Sequence, residues 1–220
     1  MRRVLTATLG LGMAASIATA DTYQIDPKHT EIGFAVRHLV ISTVRGDFGE
    51  FSGTFNYNPD DPAAFSADVT VQTASIDTRV ADRNAHLRSP DFFDAEKYPT
   101  ITFKGTRAEK NGDDLTLYGD LTMRGVTKEI ALKASVTGPI TDPWGNPRVG
   151  IDASATINRQ DWGVSWSQTL DSGGLVVSDN VKLEITVEGV KQAAQPAAEE
   201  AASADAATDA PAAESAEAAD

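Results

Sequence analysis

The chain has 220 residues, a formal net charge of −13 and no cysteine. An acidic chain lacks the basic face that neutralises phosphates, which excludes nucleic acid as a partner. Without cysteine there is neither a disulfide nor an acylated cysteine anchor, so the hydrophobic core alone must stabilise the fold.

The first segment, residues 1–20, has the features of a signal peptide. Arg2 and Arg3 precede an apolar stretch that starts at Val4, and Ala18-Thr19-Ala20 has the small-x-small pattern of a cleavage site. The alternative is an uncleaved membrane anchor. The apolar stretch is shorter than the roughly 20 residues that a span needs, so we expect cleavage, export and no stable membrane insertion.

Residues 21–190 are predicted to form one domain, in which apolar and polar residues alternate. This period of two is typical of antiparallel strands with one dry face and one wet face. The alternating segments are 32–36, 67–71, 115–123, 130–136, 149–157 and 181–187, with further strands predicted over 45–57 and 100–107. The sequence therefore predicts an all-β fold with about eight antiparallel strands.

Turns and glycines favour a barrel over a sandwich. Asn111-Gly112 and Arg124-Gly125 are short enough to close hairpins. Gly46, Gly49 and Gly53 punctuate one long strand, as expected where a sheet bends toward closure. An eight-stranded barrel is either filled by side chains or holds one small ligand. The mixture of large and small inward residues leaves both interiors open.

One short helix is predicted over residues 79–88. Arg79, Arg83 and His86 share one face of it, while Leu87 lies on a neighbouring stripe that can rest on the barrel. The basic face could receive a polar or anionic head group at the barrel mouth. Alternatively, these cations pair with local acids such as Asp77.

Residues 191–220 are dominated by Ala, Glu and Asp, and they contain no aromatic residue. Such a segment buries too little apolar surface to offset its chain entropy, so we expect a disordered acidic tail. A solubilising tail and an interaction arm are both compatible with this composition.

No catalytic or metal motif stands out in the chain. The histidines His29, His38 and His86 are not paired at metal-binding spacings, and Gly163-Val164-Ser165-Trp166-Ser167 lacks the closing glycine of a nucleophile elbow. Neither of the glycine-rich phosphate-binding motifs occurs. The sequence thus predicts no enzyme, no metal and no cofactor.

A series of short motifs follows in order along the domain: YQIDPKHT (23–30), FAVRHL (34–39), STVRG (42–46), SIDT (75–78), HLRS (86–89), DFFD (91–94), KYP (97–99), GDLT (119–122), GVTK (125–128) and DWG (161–163). Together these motifs resemble the YceI family of exported lipid-binding proteins. Asn84 departs from the family, which tends to carry Asp there.

This resemblance implies a periplasmic, lipocalin-like barrel that binds, and sequesters or transports, a polyisoprenoid lipid such as a quinone or its precursor. Phe92 and Phe93 are candidates for a gate, and Arg83 and Arg88 for contact with the head group. The inward positions expected to line the ligand, assigned from alternation, are Phe34, Val36, Phe55, Val71, Ile101, Phe103, Leu121, Leu132 and Ile151.

Two other functions stay open on the sequence. The first is a stress-related structural or interaction protein with a solid barrel, and the second is an enzyme that acts on an amphiphile through His38 or His86. The oligomeric state is also open, with a homodimer as one alternative.

Overall fold

The computed structural model describes residues 20–169 and 175–193. The first strand begins at Asp21 and the last ends at Lys191. Residues 1–19 of the predicted signal peptide and residues 194–220 of the predicted acidic tail lie outside the described residues.

The fold is all-β, as the alternation predicted, with one α-helix, α1, at Ala81–Arg88. Short 3-10 helices lie at Pro62–Ala64, Thr73–Ser75 and Arg159–Trp162. The strands are β1 Asp21–Ile25, β2 Glu31–His38, β3 Ser42–Phe48, β4 Phe51–Tyr57, β5 Ser66–Gln72, β6 Ile76–Asp77, β7 Thr100–Asn111, β8 Asp114–Met123, β9 Val126–Thr141, β10 Pro147–Asn158 and β11 Val177–Lys191.

Eight of these strands close into an antiparallel barrel. The order around the ring is β1-β4-β5-β7-β8-β9-β10-β11, and β11 pairs with β1 to complete it. The remaining strands extend the sheet from β11 in the order β2-β3-β6. The predicted eight-stranded antiparallel barrel is therefore confirmed.

The extra strands are continuations of barrel strands. Both β1 and β2 pair with β11, through Gly189–Lys191 and through residues 177–186 respectively. Likewise, β3 and β4 are separated only by Gly49-Glu50. The predicted long strand over 45–57 is thus two strands that bend at Gly49. Gly53 serves a different purpose, because an added Cβ would lie 2.4 Å from the carbonyl oxygen of Asp68 on β5.

Both predicted hairpins are present, joining β7 to β8 and β8 to β9. The helix begins two residues later than predicted. Arg79 has a φ of 66° and its backbone N–H donates to Asp77 Oδ1 at 2.7 Å, so the chain turns there before the helix starts. Arg79 therefore lies outside the helix, whereas Leu87 contacts the barrel interior as expected.

The barrel core is solid near the β9–β10 hairpin and becomes hollow away from it. At the solid end Tyr23 stacks on Phe55 with ring centroids 5.2 Å apart, and Val149 is fully buried. Tyr57 and Leu115 belong to the same buried cluster. No helix in the described part of the chain is both long enough and apolar enough to cross a membrane.

Candidate functional site: an apolar cavity

The barrel encloses a cavity of about 220 Å³. A water molecule needs only about 15 Å³ of such space, so the cavity has room for a much larger molecule. Apart from Thr102 and Arg159, every side chain on its described wall is apolar. The wall residues are Ile25, Ile32, Gly33, Phe34, Val36, Phe48, Phe55, Phe65, Ala67, Val69, Val71, Leu87, Phe92, Phe93, Ile101, Thr102, Phe103, Leu117, Leu121, Met123, Ile130, Leu132, Ile151, Ala153, Ile157, Arg159, Val164, Val177, Val181, Leu183, Ile185 and Val187.

Strand periodicity places these side chains on the wall, because alternate residues of a strand point to the same face. All the inward residues assigned from alternation lie on it, as do the gate candidates Phe92 and Phe93. Several of them, including Phe34 and Phe103, are only half-buried because they face empty space. Their contact with a ligand stays a prediction.

Small residues explain why this part of the interior is hollow. Gly33, Ala67 and Ala153 occupy wall positions where a larger side chain would fill the space. Composition alone left a solid core and a cavity equally open, and the structure has the cavity. A solid-barrel protein therefore has no support in the described interior.

A lid of α1 and residues 89–99 covers one end of the cavity. Phe92 packs against the Trp166 ring at a centroid distance of 5.3 Å, and Phe93 meets Phe48 edge-on at 6.0 Å. Arg124, in the β8–β9 turn, donates to the carbonyl oxygens of Pro90 and Phe92. The lid is thus tied to the barrel by a charged donor, which makes a stronger hydrogen bond than a neutral one.

Arg83 and Arg88, the predicted head-group residues, lie outside the cavity wall. Arg83 Nε donates to Thr78 Oγ1 at 2.7 Å, and Arg88 Nη1 donates to the carbonyl oxygen of Ala74 at 3.4 Å. Their polar partners are therefore hydroxyl and backbone groups rather than the local acids that the alternative named. Within the described part of the chain, His86 is the one of these three side chains that pairs with such an acid, with Nε2 3.0 Å from Asp91 Oδ2.

Asn84, the departure from the family motif, anchors the turn before the helix. Its Oδ1 accepts from the backbone N–H of Thr78 at 2.8 Å, and its Nδ2 donates to Asp77 Oδ1 at 2.7 Å. An amide can do both at once, whereas an ionised carboxylate can only accept. The position is therefore structural in this chain.

Arg159 is the charged wall residue that sequence reasoning missed; the apolar wall residues Phe65 and Val164 were not predicted either. It follows the last strand position of β10 and is only 4% exposed. Burial lowers the pKa of its guanidinium, while the neighbouring Asp179 carboxylate raises it. A charged residue after an alternating run is most often solvated, so nothing in the sequence distinguishes this one.

An acidic cluster lies at the solid end of the barrel, away from the cavity wall. Asp26, His29 and Glu188 bring potential metal-binding atoms within 4.8 Å of one another, the one such group in residues 20–169 and 175–193. Arg148 donates to both carboxylates there and to Asp142 Oδ2, the last at 2.8 Å. A cation of the protein thus already fills the cluster. The hydrogen bond from His29, with help from the Lys28 backbone and Arg148, lowers the pKa of Asp26 to about 2.

Comparison with known proteins agrees with the architecture. A family model described as a YceI-like domain matches residues 23–189. Protein YceI of Escherichia coli O17:K52:H18 is 42% identical over 184 residues, which cover 83% of this chain and 93% of the relative.

Solved structures share the fold. The crystal structure of the Campylobacter jejuni YCEI protein has a TM-score of 0.62 at 32% identity and covers 71% of this chain and 90% of that one. A polyisoprenoid binding domain from Saccharophagus degradans, implicated in plant cell wall breakdown, has a TM-score of 0.59 at 16% identity, covering 77% and 98%.

Proposed function

Since the chain belongs to the YceI-like family, we propose that it binds a long polyisoprenoid lipid inside the barrel. The single observation that carries the proposal is the closed barrel with an almost entirely apolar cavity. A domain of the same fold, from Saccharophagus degradans, is described as polyisoprenoid binding.

The chemistry of the cavity suits a prenyl chain. Burying apolar surface is favourable by about 25 cal/mol per Å², and a methyl-branched hydrocarbon has no polar atom that the wall must satisfy. Aromatic and branched aliphatic side chains supply that wall without covalent chemistry. The protein acts by binding and not by catalysis.

We place this activity in the periplasm, after removal of residues 1–20, where the protein sequesters or transports its lipid. Such a lipid is nearly insoluble in water, so a carrier must shield it between membranes. The acidic tail keeps the loaded protein soluble.

The lipid enters at the end of the barrel that carries the β2–β3 hairpin. Val40 and Ile41, at its tip, are 65% and 80% exposed. The tip is bound to the barrel by Leu39, whose N–H donates to the Val176 carbonyl oxygen at 2.9 Å. Val40 has a φ of 63°, which is costly for a β-branched residue and is typical of functional sites. Val177, next to this anchor, lies on the cavity wall.

Uptake of a prenyl lipid by purified protein tests the proposal. Delipidated protein is incubated with geranylgeraniol and examined by native mass spectrometry, and we expect one molecule per chain. Phe34→Asp puts a carboxylate on the apolar wall, where burial of its charge is costly, so uptake falls at least tenfold. Ala131→Asp, which adds the same group on the exposed face of β9, binds as the wild type does. A folded Phe34→Asp protein that still binds would contradict the assignment of the cavity.

A further inference from the structure

The tip of the β2–β3 hairpin breaks the usual chemistry of a turn. It consists of Leu39, Val40 and Ile41, whereas glycine, asparagine, aspartate and serine are the usual residues of turns. Leu39 and Val40 have φ values of 52° and 63°, in the left-handed region that a β-branched residue rarely adopts. Val40 and Ile41 are both exposed. Neither turn geometry nor burial therefore accounts for these two aliphatic side chains.

The same hairpin is basic in an otherwise acidic chain. Residues 32–46 contain Arg37 and Arg45 and no acidic residue. The guanidinium of Arg37 lies at the tip, because it donates to the carbonyl oxygen of Val40 and to Thr43 Oγ1. Both partners are uncharged, so no acid in the part of the chain that the structure describes balances the charge of Arg37.

We propose that the tip of the β2–β3 hairpin docks on an anionic phospholipid bilayer. Val40 and Ile41 insert at the boundary between head groups and acyl chains, and Arg37 pairs with lipid phosphates beside them. Such charge-assisted hydrogen bonds are strong, and basic residues near an anionic membrane add attraction. This inference rests on the proposed function and adds the surface at which the prenyl lipid is collected or released.

The tip is continuous with the cavity. His38 at the end of β2 pairs with Val177 of β11, and the N–H of Leu39 donates to the carbonyl oxygen of Val176. Val36 and Val177 both lie on the cavity wall. Docking by the tip therefore brings the cavity wall close to the bilayer, which shortens the path of a prenyl chain through water.

The charge at the opposite end of the barrel favours the same orientation. There the carboxylates of Asp26, Asp142 and Glu188 share the guanidinium of Arg148. Negative charge is left over whether or not His29 is protonated, so an anionic bilayer repels this end.

The net charge of −13 on the whole chain does not prevent docking by the tip. At physiological salt, charges are screened beyond about 8 Å. Strand β11, with 15 residues, separates the two ends of the barrel, which is roughly 40 Å at the usual rise of a strand. The bilayer therefore responds to the charge of the tip and not to that of the distant end.

Vesicle flotation tests docking without any prenyl lipid. The full mature chain is mixed with vesicles of pure phosphatidylcholine, or of equal parts of phosphatidylcholine and phosphatidylglycerol, and the bound fraction is measured. We expect about fivefold tighter binding to the anionic vesicles, which weakens as salt is raised. Val40→Ser and Ile41→Ser together should weaken that binding by at least tenfold, because both aliphatic groups are lost.

Two replacements of Arg37 separate its charge from its contacts. Arg37→Gln removes the charge, whereas Arg37→Lys keeps the charge without the planar fork that holds the Val40 carbonyl oxygen. We expect Gln to weaken binding to the anionic vesicles about fivefold and Lys to stay within twofold of the wild type. Lys110→Gln, beside the β7–β8 turn at the solid end, removes the same charge from an exposed position and should bind as the wild type does.

The outcomes distinguish this inference from the proposed function. If the wild type takes up geranylgeraniol but binds neither kind of vesicle, or binds both equally, docking on an anionic bilayer is overturned while lipid binding stands. Equal weakening by Arg37→Gln and Arg37→Lys would overturn the pairing with phosphates. A dimer in size-exclusion chromatography that the double Ser variant dissolves would assign the tip to a second copy of the chain instead. Failure to take up geranylgeraniol, whatever the vesicles show, would contradict the proposed function.

Discussion

At the scale of single residues, the alternation of side chains carries most of the information about the cavity. Phe34 and Val36 on β2, and Ile101 and Phe103 on β7, were placed inward from period alone, and they lie on the wall. Arg159 could not be found in this way, because it follows the alternating run and its burial depends on Ser178 and Asp179, which lie on another strand.

The same limit applies to the predicted head-group residues. Arg83 and Arg88 were selected because they stand out as cations in an acidic chain. In the structure they donate to Thr78 and to the Ala74 carbonyl oxygen and are not among the residues of the described cavity wall, so contact with a head group stays a prediction. Hydrogen bonds of this kind depend on the geometry of the local turn, which the order of charged residues along the chain does not predict.

Asp26 gives a prediction on pH at this scale. The pKa of its carboxyl is about 2 in the folded protein, below the usual value of about 3.9. The stabilisation is therefore present above about pH 4 and is lost as the pH falls toward 2. We expect the melting temperature of the wild type to fall more steeply from pH 5 to pH 2 than that of Asp26→Asn.

Asp113→Asn is the matched control for this measurement. It removes an exposed carboxylate in the β7–β8 turn and should follow the wild-type pH dependence. If Asp26→Asn were as steep as the wild type, the Asp26 cluster would not contribute to acid sensitivity.

At the scale of elements, both hairpins and most strands followed from the sequence, but β1, which closes the barrel, was not among the predicted strands. The interruptions were only partly predicted. Gly49 marked a bend where β3 gives way to β4. The break between β5 and β6, at the 3-10 helix Thr73–Ser75, had no comparable signal. It depends on contacts with distant chain, such as the bond from Thr73 Oγ1 to the Tyr98 carbonyl oxygen at 2.9 Å.

The β2–β3 hairpin gives a prediction about lipid entry. Replacing Val40 and Ile41 together by Ser removes the exposed aliphatic groups that would meet a membrane, each of which gains about 1.5–3 kcal/mol on burial. We expect transfer of geranylgeraniol from donor to acceptor vesicles to slow by at least tenfold. Equilibrium affinity in solution should stay unchanged, because neither residue lies on the described cavity wall.

An equally exposed apolar pair provides the control. Ile140 and Trp144, at the β9–β10 hairpin, are 62% and 81% exposed. They lie near Arg148, which pairs with the opposite end of β11 from Val177. Their replacement by Ser should leave transfer unaffected, and equal slowing by both double variants would argue against entry at the β2–β3 end.

At the scale of the whole molecule, closure of the barrel is what turns an alternating sequence into a binding site. The closing pair joins Tyr23 to Lys191 and Ile25 to Gly189, residues at opposite ends of the domain. The alternation along one strand cannot specify which distant residues pair with each other. The predicted bends therefore favoured a barrel, but the sequence pattern did not decide between a cavity and a solid core. The resemblance to the YceI family implied a hollow interior, and the structure shows one.

The central claim is that the protein carries a polyisoprenoid lipid in its cavity, and extraction of the native protein tests it most directly. Mature protein is purified from its own host without detergent, extracted with organic solvent and analysed by mass spectrometry. We predict a prenyl lipid at about one molecule per chain, and its loss in Phe34→Asp. Protein that contains no lipid and also takes up no prenyl quinone in vitro would contradict the account.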